Sequence, residues 1–192
     1  MKPFDVILCL GVLHHTADMR KVLVNLGRVM KTDGVMFLWI YGRLGRYRHM
    51  LNVRALQYLV KSNRNKEALD IATEFVRRAG KGCVIPELLG KTPTNEMQQK
   101  ALVDPVWVAD QFLNPHEKLL DMEGLLGLVK SAGFAISNDL GQLGGVAKML
   151  DSPLLLQRWH RLGKKEQLIV CDLIAKPERY FVKLLKKPQA TG

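Results

Sequence analysis

The chain has 192 residues, a formal charge of +11, 47% apolar and 24% charged residues. That length can bury one substantial core, so a single domain over 1–192 is expected. No apolar run approaches the roughly 20 residues of a membrane span, and Met1-Lys2-Pro3 does not open a signal peptide. Cys9, Cys83 and Cys171 are odd in number and far apart. They point to reduced thiols in a cytoplasmic protein, not to a disulfide set or a zinc site.

In chain order, Phe4-Asp5-Val6-Ile7-Leu8-Cys9-Leu10 is a short apolar run. It predicts a strand covered on both faces, as in a parallel sheet. From Asp18 to Met30 the period changes. Met19, Val22, Leu23, Leu26, Val29 and Met30 share one face of a helix that Asp18 is suited to cap. Thr32-Asp33-Gly34 reads as a stop, and Val35 to Tyr41 as a second buried strand. Strand, helix and strand make one right-handed βαβ unit.

Gly42-Arg43-Leu44-Gly45-Arg46 is read as a connecting loop, because it lacks the Lys-Ser/Thr of a P-loop. Residues 44–103 are read as a helical insertion or cap. Its first helix, Tyr47 to Val60, carries Tyr47, Leu51, Ala55, Tyr58 and Leu59 along one stripe. Asn65 caps a second helix with Ala68, Ile71, Ala72, Phe75, Val76 and Ala79 on one side, ended by Gly80-Lys81-Gly82. Prolines punctuate residues 84–120, with short helical turns expected at Glu87–Leu89 and Glu96–Leu102. Met122 to Ala132 is a helix capped by Asp121, feeding a strand at Phe134 to Ser137. After the glycine-rich stretch Leu140 to Val146 come two helices, Pro153–Leu162 and Lys164–Ala175. A strand at Arg179–Leu185 and a frayed tail, Pro188 to Gly192, follow.

FDVILCLGVLHH, Asp18, an amphipathic helix and TDGVMFLWIYG, in that order and at those distances, resemble the middle of a class I S-adenosylmethionine-dependent methyltransferase. In that family the pattern covers the fourth strand, the next helix and the fifth strand. An "LHH" follows the fourth strand, and a "PGG"-like turn, of which only Gly34 matches here, precedes the fifth. The Ala132-Gly133-Phe134 junction would lead into the sixth strand, and Arg179–Leu185 would be the last, inserted antiparallel. The resemblance therefore implies part of a Rossmann-like sheet with a helical insertion, and it implies S-adenosylmethionine as cofactor.

In open α/β sheets, ligands sit beyond the carboxyl ends of the strands. Leu10, Gly11, Val12 and His15 lie at that end of the first strand and Tyr41 at that of the second, and the resemblance implies that the first four are candidates for contact with the cofactor and Tyr41 for contact with the substrate. His14 is the candidate substrate-side group, with His15 given to packing or the helix start. A structural role for both histidines stays open. No metal is expected, since adjacent histidines after a strand point apart. Asp110-Gln111-Phe112-Leu113-Asn114-Pro115-His116 resembles a "D-x-x-L-x-P" segment of some methyltransferases of this group. It offers Asp110 and Asn114 as proton acceptor or hydrogen-bond partner and His116 as a substrate contact. The alternatives are turn chemistry for the first two and a surface position for His116.

The family's glycine-rich cofactor turn and ribose-binding acid have no counterpart here, because the match starts in the fourth strand. The expectation is the C-terminal part of a longer or split enzyme, or a decayed one. Its partner would be the missing N-terminal half, cofactor binding by this chain alone would be weak, and Phe4–Leu10 would be an open edge. The acceptor stays open: small molecule, lipid, protein or RNA. An oxidoreductase is disfavoured because no G-x-G-x-x-G follows a strand. A non-catalytic binding module, with nucleic acid as a ligand, is the alternative. The basic clusters lie on several elements without interleaved aromatic pairs, and so favour solvated helix ends over a nucleic-acid footprint.

Overall fold

A computed structural model describes residues 2–61, 66–78, 104–114, 117–137 and 150–187. The expectations for Asn65, Ala79 to Leu102, His116, Leu140 to Val146 and the tail lie outside these residues. The chain divides into two compact units, residues 1–45 with 116–192 and residues 46–115.

The first unit is a sheet with helices. Strand β1 (Phe4–Leu10) ends in a 3-10 turn (Leu13–His15), followed by α1 (Met19–Val29) and β2 (Met30–Tyr41). Later come α5 (Met122–Ser131), β3 (Phe134–Ile136), α6 (Pro153–His160), α7 (Lys164–Ala175) and β4 (Arg179–Lys186). The strand order is β1-β2-β4-β3. β1 runs parallel to β2, and β4 is antiparallel to both of its neighbours. This is the expected partial Rossmann-like sheet with its inserted antiparallel strand. β1 is its edge.

Asp18 caps α1 as expected, its carboxylate accepting the Lys21 N–H at 2.9 Å. The stop at Thr32-Asp33-Gly34 takes a different form, because β2 begins at Met30, directly after the helix. Phe4 pairs with Met30 and Val6 with Val35, so residues 31–34 bulge opposite Asp5. Lys31 closes the bulge on Asp5 at 2.5 Å.

Alternation sorts the sheet residues onto two faces. Cys9, Met36, Leu38, Ile40, Tyr180, Val182 and Leu184 form one face, buried against Leu23 of α1, Met122, Leu125 and Val129 of α5, and Leu168 and Cys171 of α7. A carboxylate lies within this core. Asp172 is buried and accepts the Tyr180 hydroxyl at 2.6 Å and the Met122 N–H at 2.9 Å, tying α7 to β4 and to the start of α5. The other face carries Phe4, Val6, Leu8, Leu10, Phe181 and Leu185, all exposed. Here the expectation of a β1 covered on both faces is corrected. Among the described residues of this unit, the helices that build the core serve one face only.

The second unit is helical: α2 (Tyr47–Val60), α3 (Lys66–Arg78) and α4 (Pro105–Phe112). Val53, Leu56 and Val60 pack with Ala68, Ala72 and Val76 of α3 and with Val108 and Phe112 of α4. The α3 stripe is the expected one. On α2 the expected stripe of Tyr47, Leu51, Ala55, Tyr58 and Leu59 faces outward instead. The buried side adds Arg46, His49 and Asn52 to its aliphatic residues.

Candidate active site

At the carboxyl end of β1 the chain must turn sharply to start a helix. Gly11 takes φ +72°, a conformation that side chains disfavour, and a Cβ there would lie 2.9 Å from the Trp39 ring. Its N–H still bonds the Trp39 carbonyl at 3.2 Å, which holds the turn against β2. Leu13 to His15 then close a 3-10 turn, with the Thr16 hydroxyl donating to the Leu13 carbonyl at 2.7 Å. The Lys118 N–H bonds the His14 carbonyl at 2.9 Å, and the Lys118 ammonium reaches the Ala17 carbonyl.

This turn gathers four rings. His14 is fully buried. Its ring centroid lies 4.1 Å from His15, 4.4 Å from Tyr41 and 5.7 Å from Trp39. Trp39 and Tyr41 meet edge to face at 4.9 Å. Leu10 and Val12 are exposed on either side of Gly11. The sequence candidates Leu10, Gly11, Val12, His14, His15 and Tyr41 are thus neighbours in space. Trp39 joins them, although its place inside an apolar run had marked it only as core.

Tyr41 is followed by Gly42, where a Cβ would run into the Pro177 carbonyl. The close approach lets the Gly42 N–H bond the Glu178 carbonyl at 2.8 Å and the Arg43 N–H bond the Leu120 carbonyl at 2.8 Å. Arg43 also pairs with Asp121, the cap of α5.

Asp110 and Asn114 belong to the second unit. Asp110 is exposed on α4 and accepts from the Gln111 side chain at 2.8 Å. Asn114 is half-buried beyond the end of α4. No periodic signal marks the buried polar side chains at and after the start of α2. There Arg46 donates to the Gln111 side chain at 3.1 Å, and the His49 Nε2 lies 2.9 Å from the Gln111 carbonyl. Burial first, and the Arg46 charge second, lower the His49 pKa to about 4, against the Gln111 hydrogen bond. The ring is therefore neutral near pH 7 and donates through Nε2.

Neither described cysteine is suited to nucleophilic work. Burial pushes the Cys9 and Cys171 thiols up, outweighing a backbone hydrogen bond at Leu13 for the first and the Lys164 charge for the second. Burial and the Asp172 hydrogen bond likewise raise the Tyr180 phenol, so it stays a donor. Among the described residues, no group of His, Cys, Asp and Glu has the arrangement of a metal site, and no helix is long and apolar enough to cross a membrane.

The family described as Methyltransferase domain matches residues 2–38, which are β1, the turn, α1 and most of β2. Among solved structures, the chain is similar to PKMT2 from Rickettsia typhi, with a TM-score of 0.64 at 13% identity. It is also similar to the same protein in complex with AdoHcy, with a TM-score of 0.62 at 13% identity. In both, 97% of this chain is covered, and it spans 36% of the length of the other. By the matched βαβ unit and the likeness to these structures, the chain carries part of a Rossmann-like fold of the kind found in class I S-adenosylmethionine-dependent methyltransferases.

Proposed function

We propose that this chain takes part in S-adenosylmethionine-dependent methyl transfer, as the C-terminal portion of a longer or split enzyme. The observation that carries this reading is the coincidence of two things. The segment matched by the methyltransferase family is the βαβ unit, and its carboxyl end gathers His14, His15, Trp39 and Tyr41 around the turn at Gly11. AdoHcy, held by PKMT2, is the demethylated form of that cofactor and supports the choice.

The residues fit such a ligand. Gly11 leaves a lip of bare backbone between exposed Leu10 and Val12. The cofactor would supply an electrophilic methyl on a sulfonium. Leu10, Gly11, Val12 and His15 would lie along it, with His14 and Tyr41 on the acceptor side. Asp110, Asn114 and His116 are proposed as proton acceptor or hydrogen-bond partners on the strength of the sequence segment alone. Alignment of nucleophile, methyl and sulfur is most of the work, and proton removal is the remainder.

The glycine turn and the ribose acid would come from an N-terminal half, seated on the β1 edge and the bare sheet face. Parallel sheets are normally covered on both faces, and the exposed row Val6, Leu8 and Leu10 supports such a seat. The buried thiol of Cys9 supports a cytoplasmic setting.

The test is calorimetric titration with S-adenosylmethionine, on this chain alone and on the full reading frame that contains it. Weak or no binding by the first, with tight binding by the second, is expected. Failure of both ends the methyltransferase reading. The second reading, a non-catalytic module that binds nucleic acid, draws on the net charge of +11. Binding to RNA or DNA that weakens steeply with salt, without any for the cofactor, would favour it.

A further inference from the structure

The turn that holds His14 is closed from within and from without. Within it, the Val12 carbonyl accepts the His15 N–H at 3.1 Å, and the Leu13 carbonyl accepts the Thr16 N–H at 3.1 Å. The carbonyls of His14 and Ala17 are reached from far along the chain, and both by Lys118. Its N–H donates to the first and its ammonium to the second. One residue thus grips the turn on either side of His15 and Thr16, just before Asp18 caps α1. Lys118 is in turn held by a short strap. Leu120 bridges to Gly42 beyond the end of β2, and its carbonyl accepts the Arg43 N–H at 2.8 Å. Asp121 pairs with Arg43 and accepts the Gly124 N–H at 2.8 Å. The Met122 N–H donates to the buried Asp172 carboxylate at 2.9 Å. Residues 118–122 therefore run from the turn after β1, past the end of β2, to the core.

We propose that Lys118 is a positioning residue, which acts through the His14 and Ala17 carbonyls to fix where the His14 ring stands against Tyr41. The core and the sheet set one end of the strap, and Lys118 carries that position to the turn. The ring it places is fully buried, with its centroid 4.4 Å from Tyr41 and 4.1 Å from His15. A misplacement of about 1 Å in a reacting site can cost about a hundredfold in rate. That consequence rests on the reading above, in which His14 faces the acceptor. The placement of the ring does not. Lys118 itself is exposed, so its side chain adds little to the core. Its loss should open the turn locally and leave the rest of the unit folded.

Two cysteines report on such an opening. Cys9 is 6% exposed and its thiol is hydrogen-bonded to the Leu13 backbone, so the turn shields it. Cys171, on α7, is as deeply buried at 3%. Iodoacetamide labelling of the native full chain, read peptide by peptide by mass spectrometry, compares the two. Lys118→Met keeps the length of the side chain and removes its donor. It should speed the labelling of Cys9 about fivefold or more, the factor that one lost hydrogen bond makes in a local opening. Cys171 should label at the wild-type rate, and the melting temperature should not move. The nuclear Overhauser effect between the His14 and Tyr41 rings should weaken in the same variant. Lys118→Arg, which restores a donor, should bring both signals back. The proposal is overturned if either signal stays at its wild-type level in Lys118→Met, or if Cys171 speeds up with Cys9. It is also overturned if Lys118→Arg behaves like Lys118→Met. Neither readout uses the methyl cofactor, so its failure and the failure of the catalytic reading are told apart.

Discussion

The two faces of the four-stranded sheet are made by the same strands and both carry apolar rows, the open one interrupted by Arg179 and Lys183 of β4, yet only one is enclosed. Leu38, between Cys9 on one side and Val182 on the other, is fully buried. Leu8, one strand away on the opposite face, is 66% exposed. On that open face Phe37 and Phe181 stack at 5.9 Å, a diagonal pair across β2 and β4 that covers some carbon without enclosing it. A half-buried antiparallel sheet normally puts polar residues on its open side. Here the open side is Phe, Val, Leu and Leu along β1. The difference teaches that hydrophobicity records what a strand is built to meet, and burial records what it has met.

The largest expected effect breaks the enclosed face. Leu38→Ala removes a fully buried side chain from the centre of the core and should lower stability by about 2–5 kcal/mol, read by chemical denaturation. A loss under about 1 kcal/mol would mean that the enclosed face is no better packed than the open one.

The next tests what the buried Asp172 carboxylate contributes to the enclosed face. Asp172→Ala orphans the Tyr180 hydroxyl and the Met122 N–H together, and each orphaned buried donor costs about 1–3 kcal/mol. Adding Tyr180→Phe removes one orphan. The double variant should be more stable than Asp172→Ala alone if the hydrogen bond, not the charge, is what Asp172 contributes.

A pH series separates burial of carbon from burial of a titratable ring. His49 in the second unit has its pKa lowered from 6.5 to about 4. The folded state therefore binds fewer protons than the unfolded chain between those values. The stabilising contribution is fully present above pH 6.5 and is lost as pH falls toward 4. The expected loss is about 2–3 kcal/mol. Denaturation from pH 7 to 4.5 should show that slope in the wild type and a flatter one in His49→Gln. Equal slopes would place the acid sensitivity elsewhere.

How much of this was legible depends on what each residue's neighbours add. β1, α1 and β2 follow from a change of period at Asp18, and the grouping of Leu10 to His15 with Tyr41 follows from their shared place at the strand carboxyl ends. The open face was not legible, because an apolar run such as Val6 to Leu10 reads the same whether helices cover it or not. The α2 stripe was assigned to the wrong side for a related reason. Tyr47, Leu51 and Tyr58 outrank Arg46, His49 and Asn52 in hydrophobicity. Arg46 and His49 are nonetheless buried, because Gln111, more than sixty residues on, supplies partners for both. Such long-range satisfaction leaves no periodic mark. The burial of His14 was hidden in the same way, since it depends on Trp39, Tyr41 and the strap at Lys118.

The smallest expected effect on stability carries the most about the open face. Leu8→Lys places a charge on the exposed row of the edge strand β1. If the face is open in solution, the substitution meets mostly water, and stability should change by no more than about 0.5 kcal/mol. Association should change much more. An edge strand with unpaired N–H and C=O groups beside an apolar row templates pairing with another chain, and a lysine there is the usual block. Sedimentation of the wild-type chain should therefore show concentration-dependent association, and Leu8→Lys should shift it toward monomer at unchanged melting temperature. Two results would break the comparison between the faces. A stability loss as large as that of Leu38→Ala would mean that Leu8 is enclosed in solution. A wild-type chain that stays monomeric at all concentrations would mean that the edge and its apolar face are already satisfied.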